Sequence, residues 1–179
     1  MRLLRFVTHW QRLYFFAGLI WLIDFSTKIW ALNNLSEVTE TKVFGSFLQL
    51  RLLFNPGAAF SLGTNFTFIF TILAVLAVTA IAYVAPRIQS KSWSILFGLA
   101  LGGILGNLTD RIFREPSFFN GHVIDWIELP NWPVFNVADM AISCAAVLSV
   151  ILIARNIEPF QSADQSNGDS STGPSKPAN

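Results

Sequence analysis

Residues 66–84 read FTFIFTILAVLAVTAIAYV, a run without one charged side chain. About 20 helical residues cover a hydrocarbon core ~30 Å thick, so this run reads as a membrane span. The whole chain agrees with that solvent. It has 179 residues, 53% of them hydrophobic and only 13% charged, whereas soluble domains carry about 25% charged residues. A net charge of +1 implies no polyanionic partner, and no nucleic acid is expected. The one cysteine, Cys144, lies in an apolar run, so neither an internal disulfide nor a Cys/His metal site is expected. No metal and no cofactor is called for.

Three more apolar segments accompany the first. Tyr14 to Leu32 is interrupted by Asp24 and Lys28, and Val137 to Ala154 carries Asp139 near its start. Trp93 to Leu108 is short for a span unless it continues through Asp110, and we expect that it does. The segment at Tyr14 exceeds the 7–15 apolar residues of a secretory signal and has no small-residue cleavage site after it. It reads as a retained span.

The connections are residues 33–65, 85–92 and 109–133. Arg2, Arg5 and Arg12 precede the first span, Arg87 and Lys91 join the second to the third, and Arg155 follows the fourth. With an even number of spans these groups share one side. Lys42, Arg51, Arg111 and Arg114 are spread over the two long loops opposite, so the basic bias places both termini in the cytoplasm. In the first loop Leu48, Leu50, Leu52 and Phe54 alternate with Gln49, Arg51 and Leu53, the period of a short strand. Residues 1–158 form the membrane domain on this reading. Residues 159–179, rich in Ser, Asn, Asp, Gly and Pro, form a polar tail expected to be disordered.

Asp24, Asp110, Asp125 and Asp139 each abut or enter an apolar segment. An ionisable group inside a span costs about 2.5–3.5 kcal/mol on insertion scales and usually marks a functional path. Asp24 and Lys28 share a helix face at i,i+4, either as a structural ion pair or as a substrate-facing pair. Gly98, Gly102 and Gly106 make a small face for close helix approach, and Asn107 and Asp110 follow on or near it. Asp110 stands at a helix C-terminus, where a carboxylate needs a donor, Arg111 or another backbone donor. Asn136 and Asp139 have the spacing of a capping box at a helix start, and that positive end also favours an ionised Asp139. Asp125 lies among apolar and aromatic neighbours, so desolvation should raise its pKa. Two carboxylates in differently biased environments are what aspartic proteolysis requires. The competing reading is a proton or ion conductor using the four carboxylates as a relay. The Gly-x-Gly-Asp signature of another intramembrane aspartic protease class is absent.

Five motifs in order resemble those of the bacterial lipoprotein signal peptidases, the signal peptidase II family. They are Asp24-Phe25-Ser26-Thr27-Lys28, Asn55-Pro56-Gly57-Ala58-Ala59-Phe60-Ser61, Gly106-Asn107-Leu108-Thr109-Asp110-Arg111, Gly121-His122-Val123-Ile124-Asp125-Trp126-Ile127 and Phe135-Asn136-Val137-Ala138-Asp139. The resemblance spans roughly residues 14–155. It implies an all-α membrane protein, a four-helix transmembrane bundle with a small extracytoplasmic β-element. Asp125 and Asp139 match the family's catalytic pair. Asn55, Gly57, Asn107, Asp110, Arg111, Asn136, Asp24 and Lys28 match positions that organise the site or contact ligand.

The implied activity is a metal-free aspartic endopeptidase of the bacterial inner membrane. Such enzymes remove signal peptides from prolipoproteins by cutting before a diacylglyceryl-modified cysteine near the extracytoplasmic face. Membrane lipid is the other expected partner, and the expected state is a monomer. Two departures stand out. Phe25 replaces the family's usual Gln, and the extra stretch Ile112 to Asn120 is expected to form a longer loop over the site.

Overall fold

The bilayer core offers no water to backbone amides, so each apolar run must satisfy its own hydrogen bonds, and a helix does so. In the computed structural model, which describes residues 8–57 and 67–160, the four runs are helices. They are α1 (His9–Asn34), α2 (Thr67–Val84), α3 (Lys91–Phe113) and α4 (Val137–Ala154), each long and apolar enough to cross a membrane. The third span runs past Asp110 to Phe113, as its polar end required. The first begins at His9, ahead of Tyr14, where the Gln11 side chain accepts the Thr8 backbone N–H at 3.0 Å. Residues 161–179, most of the predicted tail, lie outside the described residues, as do Arg2, Arg5 and Ala58 to Ser61.

Helix α3 is the axis of the bundle and packs against each of the other three helices. Its glycines explain how. A Cβ on Gly98 would fall 2.8 Å from the Leu13 carbonyl oxygen, and one on Gly102 2.7 Å from that of Ala17, so both glycines admit the backbone of α1. A Cβ on Gly106 would collide with the Asp24 carboxylate. Gly103, one position round the helix, opens a second face. There a Cβ would meet the Ala138 carbonyl oxygen of α4 at 2.5 Å. We predict that Gly103→Ala costs about 1–3 kcal/mol of thermal stability, as overpacking against backbone does. Gly18 has nothing within 4 Å of its Cβ position, so Gly18→Ala should leave thermal stability intact.

Three strands cap the bundle at the end formed by the α1 and α3 C-termini: β1 (Thr41–Phe44), β2 (Leu48–Asn55) and β3 (Val123–Glu128), antiparallel in the order β1-β2-β3. The alternating stretch forms β2, but β3, from the third loop, is an addition to the expected element. Leu50 pairs with Ile127 and Leu53 with Asp125. The register shifts between Leu50 and Leu53, and Leu52 is buried while Leu53 is exposed, as the alternation requires. Ala31 of α1, Leu52 and Ile124 form the small core that seats the sheet on the bundle, with Phe54 and Trp126 against it. At the opposite end Leu13, Ala17, Ile81, Ala85, Trp93, Leu101, Ala145 and Leu152 build an apolar core.

Candidate active site

All four singled-out aspartates meet at the sheet end of the bundle, and all but Asp139 have side chains withdrawn from solvent. Asn136 is the N-cap of α4. Its side-chain oxygen accepts the Asp139 N–H at 3.0 Å, and Asp139 Oδ2 in turn accepts the Asn136 N–H at 3.2 Å, completing the expected capping box. The cap does not exhaust either residue. Asn136 Nδ2 donates to Asp125 Oδ1 at 2.6 Å, so one residue bridges Asp125 on β3 and Asp139 on α4.

The orientation of each amide follows from what its other end touches. Asn55 Oδ1 accepts the Gly57 N–H at 2.8 Å, which turns Nδ2 toward Asp125 Oδ2, also 2.8 Å away. Asn107 Oδ1 accepts from Lys28 Nζ at 2.9 Å, which turns its Nδ2 toward Asp139 Oδ1 at 2.8 Å. Gly57 has φ +104°, a conformation costly for an L side chain, and a Cβ there would strike the Phe70 ring at 2.7 Å. Asn55 reaches Asp125 diagonally across the sheet, since its direct partner in register is Val123.

Beneath the dyad lies a buried ion cluster. Lys28 Nζ is 2.7 Å from both Asp24 Oδ2 and Asp110 Oδ2, and the three side chains are 0–1% exposed. With the bond to Asn107, all three ammonium hydrogens have acceptors. Asp24 Oδ1 also accepts the Ala138 N–H at 2.9 Å, tying α1 to the first turn of α4. Asp110 finds its donors in Lys28, the Arg114 Nε and the Ile124 N–H, not in Arg111. Arg111 instead lines the cavity, within electrostatic reach of Asp125, Asp110 and Asp139, and its buried Nη1 has no partner among the described residues.

The cavity in front of the dyad measures about 930 Å³. Asp125 and Asp139 lie in its wall, with Phe54, Phe70, Val134 and Phe135 supplying much of the apolar surface. Burial pushes the Asp125 carboxyl up to about 7, the charge of Asp139 adds to the rise, and the amide donors Asn55 and Asn136 and the charge of Lys28 oppose it. Four carboxylates (Asp24, Asp110, Asp125, Asp139) face three cations (Lys28, Arg111, Arg114) across this network. A single proton on the Asp125/Asp139 pair therefore brings the cluster to neutrality. The buried ionisable side chains among the described residues, Asp24, Lys28, Asp110 and Asp125, all lie at the sheet end, so the relay reading has no buried carboxylate to use at the opposite end.

The family profile described as Signal peptidase (SPase) II matches residues 16–155. The chain belongs to the signal peptidase II family. It is 46% identical over 158 residues to the lipoprotein signal peptidase of Leifsonia xyli subsp. xyli, covering 87% of this chain and 73% of that protein. It is 43% identical over 155 residues to that of Rhodococcus jostii, covering 86% and 78%. In fold it resembles a bacterial membrane enzyme solved by the in meso method at 2.3 Å, with a TM-score of 0.69 at 22% identity, over 89% of this chain and 93% of that one. This signal peptidase II is thus a multi-pass membrane protease with the expected four-helix bundle and small sheet.

The two departures from the signal peptidase II pattern resolve simply. Phe25 points away from the ion cluster and stacks on Trp21 with ring centroids 5.6 Å apart. Ile112 and Phe113 belong to the last turn of α3, so the longer loop begins at Arg114, and none of residues 112–120 lines the cavity that the loop was expected to cover. The loop folds against α2, where Thr71 Oγ1 donates to the Phe119 carbonyl at 2.9 Å. The sequence reading passed over Glu128, which pairs with Arg51 at 3.1 Å at the cavity mouth. Its only sequence signal was a lone acid three positions beyond Asp125, next to the apolar Ile127 and Leu129.

Proposed function

We propose that Asp125 and Asp139 are the catalytic dyad of this peptidase, which removes signal peptides from prolipoproteins by cutting before a diacylglyceryl-modified cysteine. The observation that carries the proposal is the bridge of Asn136 between the two carboxylates at the wall of an apolar cavity. Asp139, at the N-terminal turn of α4 where amide dipoles complement negative charge, takes a proton from water. The water oxygen attacks the scissile carbonyl carbon as Asp125 gives its proton to the carbonyl oxygen. Collapse of the gem-diol breaks the C–N bond, and the proton held by Asp139 passes to the leaving amine. The proton of one gem-diol hydroxyl then returns to Asp125. The free Nη1 of Arg111 is a donor for a substrate carbonyl, and the aromatic wall suits acyl chains or an apolar signal segment.

Lipid, as the solvent of the spans, is the second partner. The site belongs to the extracytoplasmic side of a bacterial inner membrane, with both termini in the cytoplasm and the monomer as the working unit. Arg12, Arg87, Lys91 and Arg155 near the span ends on one side, against basic residues spread over the two long loops opposite, favour this orientation. Asn55, Gly57, Asn107 and Asn136 position the dyad, and Asp24, Lys28 and Asp110 support it from below.

The test is cleavage of a lipidated prolipoprotein beside its unlipidated precursor in the same vesicles. Rapid cleavage of the lipidated form alone is expected, and equal rates for both would overturn the substrate rule. A second test follows from Asp125. Its role as acid needs the protonated form, so kcat/KM should fall as pH rises through about 7, the apparent value belonging to the pair. The Asn55 amide lowers the Asp125 pKa. Asn55→Ala should therefore raise that pKa and move the alkaline limb to higher pH, while lowering the maximal rate.

A further inference from the structure

Beyond Arg114, the loop between α3 and β3 is used neither by the ion cluster nor by the cavity, yet it is closely held. The Gly121 N–H donates to the Arg111 carbonyl at 2.9 Å, His122 N–H to Glu115 at 2.9 Å, and Asn120 N–H to Ser117 at 2.9 Å. Thr71, the polar side chain in an otherwise apolar stretch of α2, is fully buried and donates to the Phe119 carbonyl. Phe119 takes a left-handed φ of +67°, rare for a non-glycine residue. That turn lays the Phe119 ring beside Phe68 of α2, 6.5 Å between centroids, and sends the neighbouring Phe118 outward. Phe118 packs edge-on against Phe119 at 4.6 Å and still leaves 68% of itself exposed. Phe113, at the end of α3 where the loop begins, is 76% exposed.

We propose that this loop is a bilayer-interface anchor, with Phe118 inserted among lipid at the headgroup boundary. The surface beneath it decides the occupant. Phe68, Ile69, Ile72 and Leu73 of α2 are exposed because they face lipid along a span, and ring contacts carry that face from Phe68 through Phe119 to Phe118. Phe, like Trp and Leu, is a side chain that interfacial segments bury at the headgroup–acyl boundary. The anchor has a bearing on the site because the loop runs through Gly121 into β3. A Cβ on Gly121 would lie 2.8 Å from the Arg114 carbonyl oxygen, so the segment has little slack before Asp125. Bilayer contact at Phe118 thereby sets the height of β3 relative to the membrane surface.

The experiment places a nitroxide on Phe118→Cys in the full chain carrying Cys144→Ser, reconstituted in phosphatidylcholine/phosphatidylglycerol vesicles. Collisions with membrane-soluble oxygen should exceed those with a water-soluble nickel complex, by a margin smaller than for a label at Leu73→Cys in mid-span. Dominant collisions with nickel would overturn the proposal by placing Phe118 in water. Low collision rates with both reagents would overturn it in favour of a protein contact, such as a second copy of the chain. A parallel Phe118→Ser chain, unlabelled, should melt in detergent like the parent but show faster amide exchange at His122 to Ile124 in vesicles. Unchanged exchange there would remove the coupling to β3.

Discussion

Asp125→Asn and Asp139→Asn should each reduce prolipoprotein cleavage to background while the bundle stays folded. A positioned acid or base is worth about 10²–10⁴-fold, and neither half of a shared-proton pair works without the other. The double variant should then be no slower than either single one, the non-additivity expected of groups acting as a unit. Folding survives because asparagine keeps the volume of aspartate and most of its contacts. At position 125 its amide must oppose a donor, Asn55 or Asn136, a mismatch of about 1–3 kcal/mol. Removing a buried charge next to Asp139 works in the other direction. Asp110→Asn is the control. It sits behind the dyad with Lys28, Arg114 and the Ile124 N–H as partners, so it should lose stability first and retain measurable turnover. Cleavage at background by a fully folded Asp110→Asn, or normal cleavage by Asp125→Asn and Asp139→Asn, would unseat the proposed pair.

How far these roles can be read without coordinates differs from residue to residue. The spans are legible because lipid demands long apolar runs, and the cap at Asn136–Asp139 is legible because both partners lie within one helical turn. Strand β3 is not. Val123, Ile124 and Asp125 are all buried, so the segment has no alternation between wet and dry faces for a pattern to reveal. The partners of Asp110 are hidden for another reason. Lys28 is distant in the chain, and Arg114 lies in what reads as loop, although α3 carries the chain to its side as an i,i+4 neighbour. Nothing local could show that Lys28 serves both Asp24 and Asp110. The pairing of Asp125 with Asp139 came from ordered motifs resembling a known family, whereas the amides that hold the two carboxylates follow only from the fold.

Lys28→Met should be the most destabilising single change in the chain, and its rescue distinguishes charge from packing. The ammonium neutralises two carboxylates in a site closed to solvent. Removing one member of a buried ion pair costs about 3–5 kcal/mol, because the abandoned charge has no water to return to. Asp110 keeps Arg114, but Asp24 is left with the Ala138 N–H alone. Adding Asp24→Asn to Lys28→Met should therefore recover much of the lost thermal stability, while Asp24→Asn alone should destabilise. If stability returns, the cluster is held by charge balance; if it does not, the ammonium's bonds to Asp110 and Asn107, which both Lys28→Met chains lack, are what matter. Activity should recover less than stability. Lys28 Nζ also fixes the Asn107 oxygen, and without that bond the amide is free to flip and present oxygen instead of N–H to Asp139. A doubly substituted chain that melts like the parent yet cleaves slowly would separate the two duties of Lys28, holding the bundle closed and orienting the donor behind Asp139.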